Sequence, residues 1–211
     1  MRQFTDRLAI SGDVAEIRFY ANTTLTVAQQ NALGRELAAK YGADMGGFCA
    51  EEGTMFASPR VTVASGATLC GIGDGFRIPS GTVLECEGRL IGQIVVGAGG
   101  VLDTTACMPT ADAQVAFSAG GILRIAAGAN GKTVPLHVSG AAWPASGGVT
   151  VDLTAAGKTP SGTVLSWDEG NVPDVSSWTV LGGNNTTTLS VDAANRRIEV
   201  KTQTGCMLIF R

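Results

Sequence analysis

An all-β chain is what the sequence predicts: a right-handed β-solenoid of the β-helix kind with one N-terminal α-helix. Three observations carry that expectation. Glycine supplies 29 of 211 residues, and 16% of the chain is charged against 45% hydrophobic, a balance that favours packed short strands and tight turns over disorder. From residue 54 onward, short apolar runs are divided by Gly, Ser, Pro and Asn. Within those runs one form recurs, glycine followed by a leucine entering a strand: SGATLCG at 65–71, EGRLIG at 87–92, AGGVLDT at 98–104 and AGGILRI at 119–125. The leucines Leu69, Leu90, Leu102 and Leu123 stand 21, 12 and 21 residues apart. A unit of that size cannot bury its apolar face alone and must stack on its neighbour. The alternative for the same pattern is a β-sandwich.

In chain order, residues 8–20 alternate Ala15, Ile17 and Phe19 with Glu16, Arg18 and Tyr20, the period of a half-buried strand. Thr26 and Gln29 then have the spacing of a capping box, and a helix is expected over about 27–41. Leu33, Leu37 and Tyr41, with Ala38 beside them, form its apolar stripe. Lys40 in the last turn and Gly42 beyond it suit its C-terminus.

In the repeats, the glycines mark corners whose backbone angles other residues adopt only at a cost. The expected inward set is Val61, Val63, Leu69, Val83, Ile94, Val96, Leu102, Val115, Phe117, Leu123 and Ile125. Residues 122–138 read as two strand runs around Asn130-Gly131, a hairpin turn signal. A second hairpin sets Leu189 and Val191 against Ile198 and Val200 across residues 192–195, and CMLIF at 206–210 reads as a last strand. The expected organisation is a strand-helix piece at 1–44, β repeats at 45–150 and a hairpin-rich β cap at 151–211.

Two resemblances add to this reading. Ala15-Glu16-Ile17, Tyr20, Leu25-Thr26 and Ala38-Ala39-Lys40-Tyr41-Gly42 resemble the last strand and closing helix of laminin-G-like, concanavalin-type jelly rolls of bacterial surface proteins. The rest of such a jelly roll would lie upstream, so the resemblance implies a neighbourhood in a longer chain and transfers no sugar- or calcium-binding residue. Val61-Thr62-Val63-Ala64-Ser65-Gly66-Ala67-Thr68-Leu69-Cys70-Gly71 resembles the glycine-rich strand repeats of autotransporter passengers. The tail, with Trp167 and Trp178, is similar to the closing segment of such passengers, although no membrane barrel follows. Together these imply a secreted or surface-anchored bacterial protein, and an extracellular or cell-surface location is expected.

Several classes of partner are disfavoured. A formal charge of -3 and a pI near 5.1, with no basic run longer than Arg196-Arg197, give no electrostatic reason to approach nucleic acid. No run has the length of a membrane span, and the opening MRQFTDRLAISGDV lacks the apolar core of a signal peptide, as expected of a piece of a longer protein. The five cysteines, Cys49, Cys70, Cys86, Cys107 and Cys206, form no C-x-x-C pair and read as buried small hydrophobes, with a Cys86–Cys107 bridge as the alternative.

Gly128-Ala129-Asn130-Gly131-Lys132-Thr133 has the shape of a phosphate loop, but Ala126 stands where its first glycine belongs and Pro135 follows, so a hairpin is the better reading. His137 is the only histidine, too few for a usual zinc site, and no G-x-S-x-G elbow places a serine beside it. Asp168, Glu169, Asn171 and Asp174, and the turn around Asp74, offer oxygen ligands without a calcium-loop spacing. Asp103, Asp112 and Asp152 read as scattered singly; Glu85 and Glu87 point the same way with Arg89 as the one basic residue near them, and a solvated strand face is the better reading than the grouped carboxylates of a polysaccharide lyase or hydrolase.

The expectation is therefore a non-catalytic structural or adhesin-like piece of a secreted or surface-anchored bacterial protein, with no catalytic residue, metal or cofactor. The alternative is a carbohydrate-binding module in which Trp167 and Trp178 stack on sugar rings, its partner an extracellular glycan or a host or cell-surface component.

Overall fold

The structure is a computed structural model that describes residues 25–41, 47–50, 59–105 and 112–203. The chain divides into two compact units, Met1–Met45 and Gly46–Arg211.

In the first unit, α1 spans Val27–Tyr41, and its start is the expected capping box. The Thr26 amide donates to Gln29 Oε1 at 2.9 Å, and the Gln29 amide donates to Thr26 Oγ1 at 3.3 Å. Its buried positions are Val27 and Asn31, whereas Leu33 and Leu37 are half-buried and Tyr41 is exposed. The stripe of leucines is thus not its most buried face. The strand expected at 8–20 lies outside the described residues.

Among its described residues the second unit has sixteen strands: β1 (Gly47–Ala50), β2 (Arg60–Val63), β3 (Thr68–Ile78), β4 (Val83–Cys86), β5 (Arg89–Val96), β6 (Val101–Asp103), β7 (Ala113–Phe117), β8 (Ile122–Arg124), β9 (Ala126–Ala127), β10 (Thr133–Val134), β11 (Leu136–Ala142), β12 (Thr150–Asp152), β13 (Gly162–Glu169), β14 (Thr179–Leu181), β15 (Thr187–Asp192) and β16 (Arg197–Thr202). Sheet A has the order β1-β3-β5-β7-β11-β13-β16-β15, and sheet B the order β14-β12-β8-β6-β4-β2. Sheet B is parallel throughout. Sheet A is parallel up to β13 and antiparallel in its last two pairings.

This corrects the expected right-handed β-solenoid. The strands lie in two layers, one parallel and one mixed, and form no closed solenoid, which fits the two-layer sandwich alternative. The physical reason lies at the chain's distal end, where the four-residue turn after Asp192 reverses direction and sets β16 antiparallel to both β15 and β13.

Between the layers lies one aliphatic core. Val61, Leu84, Leu102, Leu123, Val151 and Val180 form one cross-strand column of sheet B. Phe76, Ile94, Val115 and Ala141 form one of sheet A. Leu69 pairs with Leu90, and Leu102 with Leu123, so the repeated leucines do stack. Most of the expected inward set is buried. Val61 is half-buried and packs against the core, and Val83 is half-buried because β4 turns Leu84 and Cys86 inward instead. Both expected hairpins are present. β9 pairs antiparallel with β10 around Asn130 and Gly131, at φ 56° and 72°, and Leu189 and Val191 pair with Val200 and Ile198.

Candidate functional site

Three places concentrate side chains that carry chemistry. The first is a row on sheet B. Thr62, Glu85, Asp103, Arg124 and Asp152 follow one another across adjacent strands, each one residue past the aliphatic column and so pointing to the other side of the sheet. Arg124 Nη1 donates to Asp103 Oδ2 at 2.9 Å and its Nε to Asp152 Oδ2 at 2.8 Å. The other oxygen of each aspartate is taken up locally. Asp103 Oδ1 accepts from the amide and hydroxyl of Thr105 at 2.9 and 2.6 Å, and Asp152 Oδ1 from those of Thr154 at 3.0 and 2.6 Å.

Asp103 and Asp152 are 3% and 5% exposed, so these two carboxylates are nearly dry, whereas Arg124 between them is half-buried. Burial works to raise the Asp152 carboxyl, but hydrogen bonds from Thr154 and Arg124 outweigh it and hold it below the ordinary carboxylate range. The same bonds, to Asp152 first and Asp103 second, hold the Arg124 guanidinium above its ordinary value. A buried carboxylate with both oxygens engaged is suited to holding strands together. The expectation that Asp103 and Asp152 stand apart is corrected here. Asp112 instead pairs with Arg89, and Glu85 accepts from Arg60 and from Thr62 Oγ1. Arg89 is thus paired with Asp112, and Glu85 with Arg60.

The second place is the solvent side of sheet A. The only histidine of the chain, His137 on β11, sits with Nδ1 2.9 Å from Ser166 Oγ and Nε2 3.4 Å from Asp168 Oδ2, both on β13. Strand register accounts for this, because His137 pairs directly with Ser166. The residue types are those of a nucleophilic triad, yet the backbone donor that would steady an oxyanion is engaged: the Trp167 amide donates to Arg196 O at 3.1 Å. Beside this group a groove of about 270 Å³ crosses the sheet, floored by Gly140 and Ala142 and edged by Gln93, Gln114 and Glu169.

The third place lies where sheet B ends and sheet A continues. Trp143 stacks on Phe117 at 5.7 Å, meets Trp167 edge-on at 5.3 Å and packs at a tilt against Trp178 at 5.4 Å. Trp167 is 2% exposed, so it presents no ring face to a sugar. Trp178 is half-buried and borders a cleft of about 410 Å³ between β14 and β15, with Val175, Ser176, Val180, Asn184, Asn185, Thr188 and Leu189 among its walls. Gly182 and Gly183, at φ 83° and 75°, carry the chain around this cleft. Asn184 Oδ1 then accepts from the amide and hydroxyl of Thr186 at 2.9 and 2.6 Å and fixes the turn.

The remaining candidates do not converge. Residues 128–133 form the β9–β10 hairpin, not a phosphate loop. Asp174 Oδ1 caps the Ser176 amide at 2.9 Å, and among the described residues no group of three His, Cys, Asp or Glu is placed to hold a metal ion. Asp74 lies at an irregularity of β3 between Gly71 and Phe76. Cys86 is buried and donates to Gly88 O at 3.3 Å, while Cys107 and CMLIF lie outside the described residues. No described helix is long and apolar enough to cross a membrane. In comparisons with protein-family models, curated proteins and solved structures, nothing matches this chain.

Proposed function

We propose that this chain is a non-catalytic structural or adhesin-like module of a secreted or surface-anchored bacterial protein, acting outside the cell. One observation carries the reading: the Asp103–Arg124–Asp152 row, in which both oxygens of each buried aspartate are engaged, ties β6, β8 and β12 across the sheet. Long ladders of paired strands resist unfolding locally because each strand is held on both sides. A module of this kind projects its neighbours and withstands proteases. Limited trypsin digestion of the purified chain tests this. The bonds after Arg89, Arg124 and Lys132 should survive digestion that cleaves a denatured control; rapid cutting at those three would count against this function.

Carbohydrate binding is the second reading, and the cleft beside Trp178 favours it. A half-buried indole next to amide and hydroxyl groups offers an apolar platform with polar edges. Binding of the purified chain to a glycan array tests it, and an empty array would remove it.

A further inference from the structure

We infer that the cleft between β14 and β15 is a preformed site for an uncharged pyranose sugar, with Trp178 as the stacking platform. This rests on the carbohydrate-binding reading and narrows it to one place and one ligand class.

The cleft exists because the layers differ in length. Sheet B stops at β14, while sheet A continues through β16 to β15. Trp178 therefore borders an opening where a further strand of sheet B would otherwise lie. At about 410 Å³ the space falls in the range of small-molecule sites, roughly 300–1,000 Å³. Its walls divide by chemistry. Trp178, Val175, Val180 and Leu189 are apolar, and Ser176, Asn184, Asn185 and Thr188 supply hydroxyls and amides.

No ionisable side chain lines the cleft. A charged ligand would lose hydration there without gaining a counter-charge. A neutral sugar instead matches both halves, its C–H face on the indole and its hydroxyls on the amides. Asn184 spends its Oδ1 on the Thr186 turn, which leaves Nδ2 as the group to donate, and Asn185 is exposed beside it.

The walls are fixed before any ligand arrives. A Cβ on Gly148 would lie 2.0 Å from Ser177 O, so the backbone before Trp178 is seated directly on the neighbouring turn. Trp143 supports Trp178 at 5.4 Å. Thr187 Oγ1 accepts from the Asn184 amide at 3.0 Å and ties the loop to β15. Preorganisation of this kind lowers the cost of binding.

The test is calorimetric titration of the full chain with neutral oligosaccharides (xylo-, cello- and manno-hexaose) and an acidic one (oligogalacturonate), with tryptophan fluorescence as a second readout. A neutral oligosaccharide is expected to bind and oligogalacturonate to bind roughly ten-fold or more weakly. Trp178→Ala should abolish binding. Because that change also loosens the aromatic cluster, Asn185→Asp and Thr188→Glu, both at exposed positions, should each weaken binding roughly ten-fold with unchanged Tm. Binding that survives all three variants would overturn the assignment to this cleft and leave the carbohydrate reading standing. Preference for the acidic oligosaccharide would overturn the ligand class. Absence of binding to every oligosaccharide would overturn the site and the carbohydrate reading together.

Discussion

Arg124 donates from Nε to Asp152 Oδ2 at 2.8 Å across the β8–β12 pair, and so turns two buried carboxylates into one continuous polar row with Asp103. Removing the arginine leaves both aspartates buried without their counter-charge. Arg124→Met should destabilise the chain by about 3 kcal/mol at neutral pH in urea unfolding. A loss below about 1 kcal/mol would mean that the threonine turns alone satisfy the row.

The pH dependence of that difference has a definite sign. Asp152 is held below its ordinary value, so its contribution is fully present above the unfolded-state carboxylate range near ~4 and is lost as pH falls through the lower folded value. The wild-type chain should therefore lose stability on acidification below about pH 4. In Arg124→Met burial acts on the carboxyls without the guanidinium, and the gap between the two proteins should narrow as pH falls. Parallel curves from pH 7 to 2.5 would contradict the assignment.

How much of this was legible in the residues differs by level. AGGVLDT and AGGILRI align as copies of one unit, and that alignment already sets Asp103 against Arg124. The third copy, GGVTVDLT at 147–154, carries a longer insertion before it and escapes a search at the 21-residue spacing, which is why Asp152 looks isolated in the sequence. Capping at Thr26 and the Asn130-Gly131 hairpin were readable because both are local signals. The choice of sandwich over solenoid was not, because the number of sheets depends on where each unit bends back, and glycine marks a bend without giving its angle. The meeting of His137 with Ser166 depends on the β11–β13 register across nearly thirty residues, which no local pattern specifies.

Glycine positions provide a stringent check on strand packing. Gly92 has φ 68°, and a Cβ there would lie 2.0 Å from Gly71 O, whereas Gly66, at φ 83°, faces open space. Gly92→Ala should cost about 3 kcal/mol through clash and dihedral strain together, and Gly66→Ala only about 1 kcal/mol through strain. Equal costs in urea unfolding would show that β3 and β5 do not approach as described.

The Ser166–His137–Asp168 group is a direct test of the non-catalytic reading. The account expects no labelling of Ser166 by a fluorophosphonate probe, since the following amide is engaged with Arg196 O. Ser166→Ala should leave stability within about 1 kcal/mol of wild type. Stoichiometric labelling that disappears in Ser166→Ala would reverse the reading in favour of a hydrolase.

Sheets A and B share one core and should unfold as a unit. Residue-resolved amide hydrogen exchange by NMR measures this directly, because each protected amide reports the free energy of the opening that exposes it. Val95 and Val115 in sheet A and Leu102 and Leu123 in sheet B should exchange with one common opening energy, equal to that of global unfolding. Two separate energies, one for each sheet, would contradict the claim.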